Sequence, residues 1–186
     1  MLSFLYFSFL LFLVTEIALN RMFRSTVADK KDADQKSIKI LWLTIAVSLT
    51  IGGLIAGYTE MPIYRGIVIL YFSLALLYLG MMIRIFAVYS LGKYFTVDVT
   101  IRDQHRLKTD GLFKMVRHPN YLALLLSFSS IGIFYNNWIA LLVVVVPITL
   151  SFIMRIDIEE KVLIQHFGEE YQAYAKKTKR LIPGIY

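Results

Sequence analysis

Apolar runs partition this chain, and their length dictates the solvent in which it can fold. Residues 2–19, 38–58, 67–91, 121–134 and 138–154 are almost free of charge, with Glu16 interrupting the first run, Lys39 standing at the start of the second and Arg84 interrupting the third. A helix needs about 20 predominantly apolar residues to cross a bilayer. Of the 186 residues, 58% are hydrophobic and only 18% charged. Soluble domains are nearer half apolar and about a quarter charged, and a chain this short has too much surface to hide the excess. The pair Asn136-Asn137 breaks the last apolar stretch, and asparagine favours turns over helix interiors. The expected fold class is therefore all-α: a polytopic membrane protein with five transmembrane helices, the last two a helical hairpin, plus a C-terminal amphipathic helix.

The first run lacks a basic n-region and a small-residue cleavage site before Arg21, so it reads as a retained helix and not a signal peptide. Basic residues then orient the bundle. Arg21, Arg24, Lys30, Lys31, Lys36 and Lys39 follow the first run; Lys93, Arg102, Arg106, Lys108, Lys114 and Arg117 follow the third; Arg155, Lys161, Lys176, Lys177, Lys179 and Arg180 follow the fifth. The alternate connections hold only Arg65 and nothing. The positive-inside rule places the N-terminus outside and the C-terminus in the cytoplasm. Topology thus accounts for the net charge of +7, and nucleic acid is not an expected partner. Cysteine is absent, which excludes disulfides, a thiolate nucleophile and Cys-ligated metal.

The polar mass falls in three cytoplasmic pieces. The segment "STVADKKDADQKS" mixes both signs and reads as a linker. Residues 92–119 form a long connection in which "YFTVDVTI" alternates as an extended segment does and Asp110-Gly111 signals a turn. From Arg155 to Lys177 the apolar spacing predicts one amphipathic helix leaving the membrane, ended by Pro183 and Gly184. Gly53 and Gly57 form a G-x-x-x-G suited to close helix packing. No dinucleotide-binding glycine fingerprint, Walker loop, H-E-x-x-H zinc helix or Ser-His-Asp order stands out.

Two constellations carry chemistry. In "MVRHPNYLALLL", Pro119 suits the first turn of a helix, so Arg117, His118, Asn120 and Tyr121 gather at the cytoplasmic end of the fourth span, where free N–H groups favour an anion. Interfacial anchoring by a basic residue and a tyrosine would explain part of this, but not the His-Pro-x-Tyr run. In "RIDIEE", Arg155 and Glu159 share a helix face at the end of the fifth span, and Glu160 points about 100° away. A surface ion pair is the plain alternative. The short hairpin makes the two helices antiparallel neighbours, so His118 and Tyr121 should face Arg155 and Glu159 across a small polar pocket at the membrane surface. His105, Arg106, Leu107 and Lys108 lie upstream, where they would close over it or form a solvated basic loop. Arg84 inside the third span either snorkels or serves a function.

"GLFKMVRHPNYLALLL", a hairpin, and "RIDIEEKVLIQHFGEEYQAYAKKTKRLIP" resemble the isoprenylcysteine carboxyl methyltransferase family, within a wider group that includes the phospholipid methyltransferases. The resemblance runs from Gly80 to Pro183 and takes in "GMMIRIFAVYSLGKYF". It implies an S-adenosylmethionine-dependent enzyme in which residues 1–79 supply N-terminal helices and 80–186 bind cofactor and substrate, within one integral membrane domain, 1–186. It implies that His118, Pro119, Asn120 and Tyr121 border the cofactor, that His105, Arg106, Leu107, Lys108 and Phe113 line it from the loop, that Glu159 closes it, and that Arg155 faces the carboxylate of a lipophilic substrate entering from the bilayer. No metal site is implied. Phe113 stands where the family commonly has tyrosine, and Ala123 where glycine often follows. Three other readings stay open: a lipid-amine methyltransferase, which would need a base such as His118, Glu159 or Glu160; a nicotinamide-dependent membrane reductase; and a non-catalytic membrane module.

Overall fold

The computed structural model describes residues 2–23, 35–95 and 106–186. Its helices are α1 Leu2–Met22, α2 Gln35–Tyr58, α3 Val68–Leu91, α4 Pro119–Phe134, α5 Trp138–Phe167 and α6 Glu169–Lys177. Short 3-10 turns occupy Gly92–Tyr94 and Gly111–Lys114. Among the described residues there is no strand, only an isolated parallel bridge between Val116 and Lys179. Residues 96–101, which hold most of the expected extended segment, and most of the first loop lie outside the described residues.

α1, α2, α3 and α5 are long and apolar enough to cross a membrane. α4, the fourth of the expected spans, has 16 residues and falls short of a full crossing length. Its ends are set by Pro119 at the first turn and by Asn136, whose φ of 48° lies in the left-handed region. Large apolar side chains face outward along the bundle, among them Phe7 and Leu10 on α1, Leu43 on α2 and Phe86 on α3. Water would penalise such a surface, whereas lipid tails are its natural partner. Inside, Leu5, Phe12, Leu77, Phe128, Ile148 and Phe152 form one core.

Close approach of α3 to α4 depends on Gly80. A Cβ there would lie 2.7 Å from the Ala123 carbonyl oxygen and 2.4 Å from Ser127 Oγ. The missing side chain is on α3, so Ala123 is accommodated on α4. The expected G-x-x-x-G contact needs correction: a Cβ on Gly57 would meet nothing within 4 Å, and it is Gly52 whose Cβ would come within 2.8 Å of Val144. The tight face of α2 is therefore one residue away from the motif.

The Asn136-Asn137 turn does more than reverse the chain. Asn137 Oδ1 accepts from the amides of Ile139 and Ala140, capping α5, while its Nδ2 donates to the Thr59 carbonyl and hydroxyl. Asn136 Oδ1 accepts from the amides of Ile63 and Tyr64. The pair fastens the α2–α3 connection to the hairpin.

One open reading closes and one expectation changes. Arg84 does not snorkel to water; its guanidinium is buried and donates to both oxygens of Glu16 on α1, each at 3.1 Å. The expected tail helix is broken at Gly168, whose φ is 56°, so α5 ends at Phe167 and α6 sets off afresh. Glycine adopts such a positive φ without the strain a side chain would meet, and the break lets α6 turn back toward residues 113–118. Helix packing in lipid rests on such close contacts. Gly80→Ala should lower the melting temperature of the detergent-purified protein, with an overpacking cost of about 1–3 kcal/mol, whereas Gly57→Ala should leave it unchanged or slightly raised.

Candidate active site

The site begins where the chain enters α4. Arg117 N donates to the Lys179 carbonyl at 2.8 Å and His118 N to the Arg180 carbonyl at 3.0 Å. Tyr174 Oη donates to the Phe113 carbonyl, and Arg117 Nη1 donates to the carbonyls of Ala175 and Thr178. The segment after α6 is thus strapped along residues 113–118, immediately before Pro119.

Glu160 holds the strap. It is 6% exposed. Its Oε1 accepts from Arg117 Nε at 2.7 Å and from Tyr171 Oη at 3.2 Å, and lies 3.2 Å from His118 Nε2. Its Oε2 pairs with Arg180 Nη2 at 2.7 Å. Two guanidinium groups, an imidazole and a phenol therefore converge on one carboxylate, the setting in which a buried charge is tolerated. Burial, reinforced by the Glu160 charge, pushes the Tyr171 phenol far above its usual range. Tyr174 is pushed up to about 12, chiefly by burial. Burial opposes the charge on Arg180, but Tyr186 and Glu160 outweigh it and raise its pKa. Both phenols are consequently neutral donors and Arg180 a fixed cation at physiological pH.

Next to this clamp lies a cleft with about 1320 Å³ of space between protein atoms, counting the part open to solvent. His118, Pro119, Asn120, Tyr121, Arg155 and Glu159 line it, together with Leu107, Lys108 and Phe113. His118 Nδ1 lies 3.8 Å from Glu159 Oε2, and Arg155 Nε donates to Tyr121 Oη at 3.3 Å. α4 and α5 thus bring the two polar constellations together. Arg155, 2% exposed, also donates to Ser37 of α2 at 2.9 Å, which presets its planar fork. Asn120 Oδ1 is buried without a hydrogen-bond partner among the described residues. An orphaned buried acceptor on a cleft wall is open to a donor from water or from a ligand.

Not every expected member is placed in the cleft wall. His105 lies outside the described residues, and Arg106 does not appear in the cleft wall, whose loop side is Leu107, Lys108 and Phe113. Other wall residues were not foreseen: Ile38, Leu41, Trp42 and Ile45 of α2, Glu16 and Asn20 of α1, and Tyr171 and Tyr174 of α6. The role of Glu160 was also missed, although a signal for it exists. Buried α5 positions Ala140, Val144, Ile148, Phe152 and Ile156 recur every fourth residue. Glu160 is the next member of that stripe, so it is the carboxylate aimed into the protein, while Glu159 falls on the Ser151–Arg155 stripe beside it.

Comparisons with known proteins agree in one direction. The model of the isoprenylcysteine carboxyl methyltransferase family matches residues 73–165. Protein-S-isoprenylcysteine O-methyltransferase B of Arabidopsis thaliana is 32% identical over 116 residues, 61% of this chain and 59% of the relative. Methanethiol S-methyltransferase 1 of Bradyrhizobium diazoefficiens is 35% identical over 78 residues, 42% of this chain and 26% of that protein. The solved structure of a eukaryotic intramembrane Ras methyltransferase superposes with a TM-score of 0.64 at 24% identity, over 77% of this chain and 52% of that one. The chain therefore shares an all-helical membrane fold with it and is an integral membrane protein, but it spans only about three fifths, or less, of these relatives.

The clamp makes a separate prediction. Glu160→Gln keeps the shape but removes the charge that Arg117 and Arg180 share, and a hydrogen bond to a charged group is worth about 1.5–3 kcal/mol. Amide exchange across 116–118 and 178–181 should accelerate in this variant, while Glu170→Gln, on the exposed start of α6, should exchange like the parent.

Proposed function

Since this chain belongs to the isoprenylcysteine carboxyl methyltransferase family, we propose that it transfers a methyl group from S-adenosylmethionine to the carboxylate of a prenylated cysteine or similar lipophilic acid. The observation that carries the reading is the single cleft in which Arg155, Tyr121, His118 and Glu159 meet beside an apolar α2 wall. On this reading the chain crosses the bilayer five times with its N-terminus outside, α4 completing the hairpin, and the cleft opens at the cytoplasmic face. Residues 1–79 shelter the site, and 80–186 carry it, within one domain. A water-soluble donor reaches the cleft from the cytoplasm, and the acid enters laterally from the bilayer.

The residues fit the donor. A ligand with an ammonium group needs acceptors, and Asn120 Oδ1 and Glu159 supply them in the cleft wall. His118, Pro119 and Tyr121 continue that side, with Leu107, Lys108 and Phe113 opposite along the loop. His105 and Arg106 belong to the proposed cover of the same site. When bound, S-adenosylmethionine supplies a methyl group ready for in-line displacement. What the protein must add is alignment. Arg155, preset by Tyr121 and Ser37, would hold the acceptor carboxylate in one orientation. Glu160 fixes His118 from behind through Nε2, which leaves Nδ1 turned to Glu159 and the cleft. Phe113 offers no hydroxyl, so its contribution is an apolar face.

A second reading changes only the acceptor. The methanethiol S-methyltransferase relative favours a small thiol as the nucleophile. The two differ in their protons. A carboxylate is already ionised above pH ~5, whereas a thiol near pKa 8.5 must lose its proton to a base such as Glu159 or His118. The rate with a lipophilic acid should be flat from about pH 6 to pH 9, whereas the rate with a small thiol should climb through this interval; turnover of the thiol and none of the acid would favour the second reading.

Cofactor binding is measured independently of the acceptor. Calorimetric titration of the detergent-purified protein with S-adenosylhomocysteine should show saturable binding, weakened by roughly tenfold or more in Glu159→Gln and His118→Ala, the loss expected for a charge-assisted hydrogen bond. Absence of binding in folded protein, or displacement by NADPH, would contradict the proposal.

A further inference from the structure

The strap uses its acceptors and its donors unequally. The carbonyls of Ala175 and Thr178 accept from Arg117 Nη1, that of Lys179 from Arg117 N and that of Arg180 from His118 N. The Arg180 guanidinium is held by Asp157 and Glu160, at 2.9 and 2.7 Å. The remaining donors are idle. Lys176, Lys177 and Lys179 are exposed, and among the described residues their ammonium groups have no ion-pair partner. Thr178 is only 7% exposed, yet its hydroxyl also has no hydrogen-bond partner among the described residues.

These four side chains belong to residues that border a second cavity. It holds about 600 Å³ of space, again counting the part open to solvent. Arg117 lines both this cavity and the cleft. Exposed lysines alone would be a solvated face. A buried hydroxyl without a partner is different, because such groups are normally satisfied. The carbonyls that would repel an anion here are already taken by Arg117 and His118. What is left is one hydroxyl donor among three cations, and a phosphate group, with several charged acceptor oxygens, is matched to that set. The rim indicates where the phosphate comes from. Ile185 borders the cavity at 75% exposure, a position that water penalises and an acyl chain would cover. Basic clusters next to membrane helices attract anionic lipid.

We propose that this cavity binds the phosphate group of an anionic phospholipid, with the Thr178 hydroxyl and the ammonium groups of Lys176, Lys177 and Lys179 as its ligands and Ile185 as its apolar rim. All five residues lie outside the residues 73–165 that match the family model. The inference requires only that the chain is a membrane protein, and its test reads lipid binding, so it stands or falls apart from methyl transfer.

The full-length chain, purified in an uncharged detergent, would be titrated with dihexanoyl phosphatidic acid, dihexanoyl phosphatidylcholine and inorganic phosphate, with calorimetry and amide exchange as readouts. Phosphatidic acid should saturate one site and slow exchange across 176–181, and phosphatidylcholine and inorganic phosphate should each bind at least tenfold more weakly. Thr178→Val breaks no bond within the protein, so it should melt like the parent, yet weaken phosphatidic acid roughly tenfold, the scale of a hydrogen bond to a charged group. Lys179→Gln should weaken it too, whereas Lys161→Gln, which removes the same charge from an exposed position on α5 outside the cavity, should not. If Thr178→Val fails to fold, the two lysine variants, altered only on exposed side chains, decide the matter. Four results would each overturn the proposal: no saturable binding of phosphatidic acid, equal losses in Lys179→Gln and Lys161→Gln as a diffuse field predicts, inorganic phosphate binding as tightly as the lipid, or protection that appears only outside 176–181.

Discussion

One buried carboxylate holds together the end of this molecule at which α4 begins. Glu160 receives Arg117 and His118 from the entrance to α4, Tyr171 from α6, and Arg180 from the segment beyond. These groups come from distant parts of the sequence, and each carries hydrogen-bonding capacity that would be costly to bury alone. Gathered on one anion, they satisfy one another and fix three segments in register. The parallel bridge between Val116 and Lys179 is a consequence: backbone pairing follows once the side chains have fixed the strap. His118 is then presented to the cleft by its other ring nitrogen.

The membrane supplies the second constraint. An apolar exterior excludes water from the bundle flank, and the polar groups that remain inside must be paired. Glu16 with Arg84, and the Asn136-Asn137 turn with the α2–α3 connection, are two solutions to this demand. The clamp is a third, placed at the end of the bundle where α4 begins. A cleft bordered by such elements has a polar mouth and an apolar wall. That is the shape required for a soluble donor and a lipophilic acceptor to meet, and the proposed activity follows from it together with family membership.

Much of this was legible before the structure. The apolar runs located the helices to within a few residues, and Pro119 marked the start of α4 because its ring tolerates only the first helical turn. The hairpin logic placed Arg155 against Tyr121. Other features were hidden for identifiable reasons. Gly168 breaks the tail through a positive φ that periodicity does not reveal, since the apolar spacing runs through it undisturbed. Gly57 sits in a familiar packing motif, yet α2 presents Gly52 to α5, because rotation about a helix axis is set by its neighbours. Glu159 and Glu160 look alike as a pair. Only the fourfold stripe through Phe152 and Ile156 separates the inward carboxylate from the cleft-lining one. Glu16 and Arg84 lie far apart in sequence, and no local pattern announces their pairing.

The central claim is that the cleft methylates a carboxylate. It is tested most directly by the chemistry of the product. The purified chain in lipid vesicles would be supplied with methyl-labelled S-adenosylmethionine and N-acetyl-S-farnesylcysteine, and the extracted lipid fraction treated with mild alkali. A methyl ester surrenders its label as volatile methanol, and this release, absent without the acid, is the predicted result. Label that stays with the lipid through alkali, as it would on sulfur or nitrogen, or no transfer by protein that binds S-adenosylhomocysteine, would contradict the account.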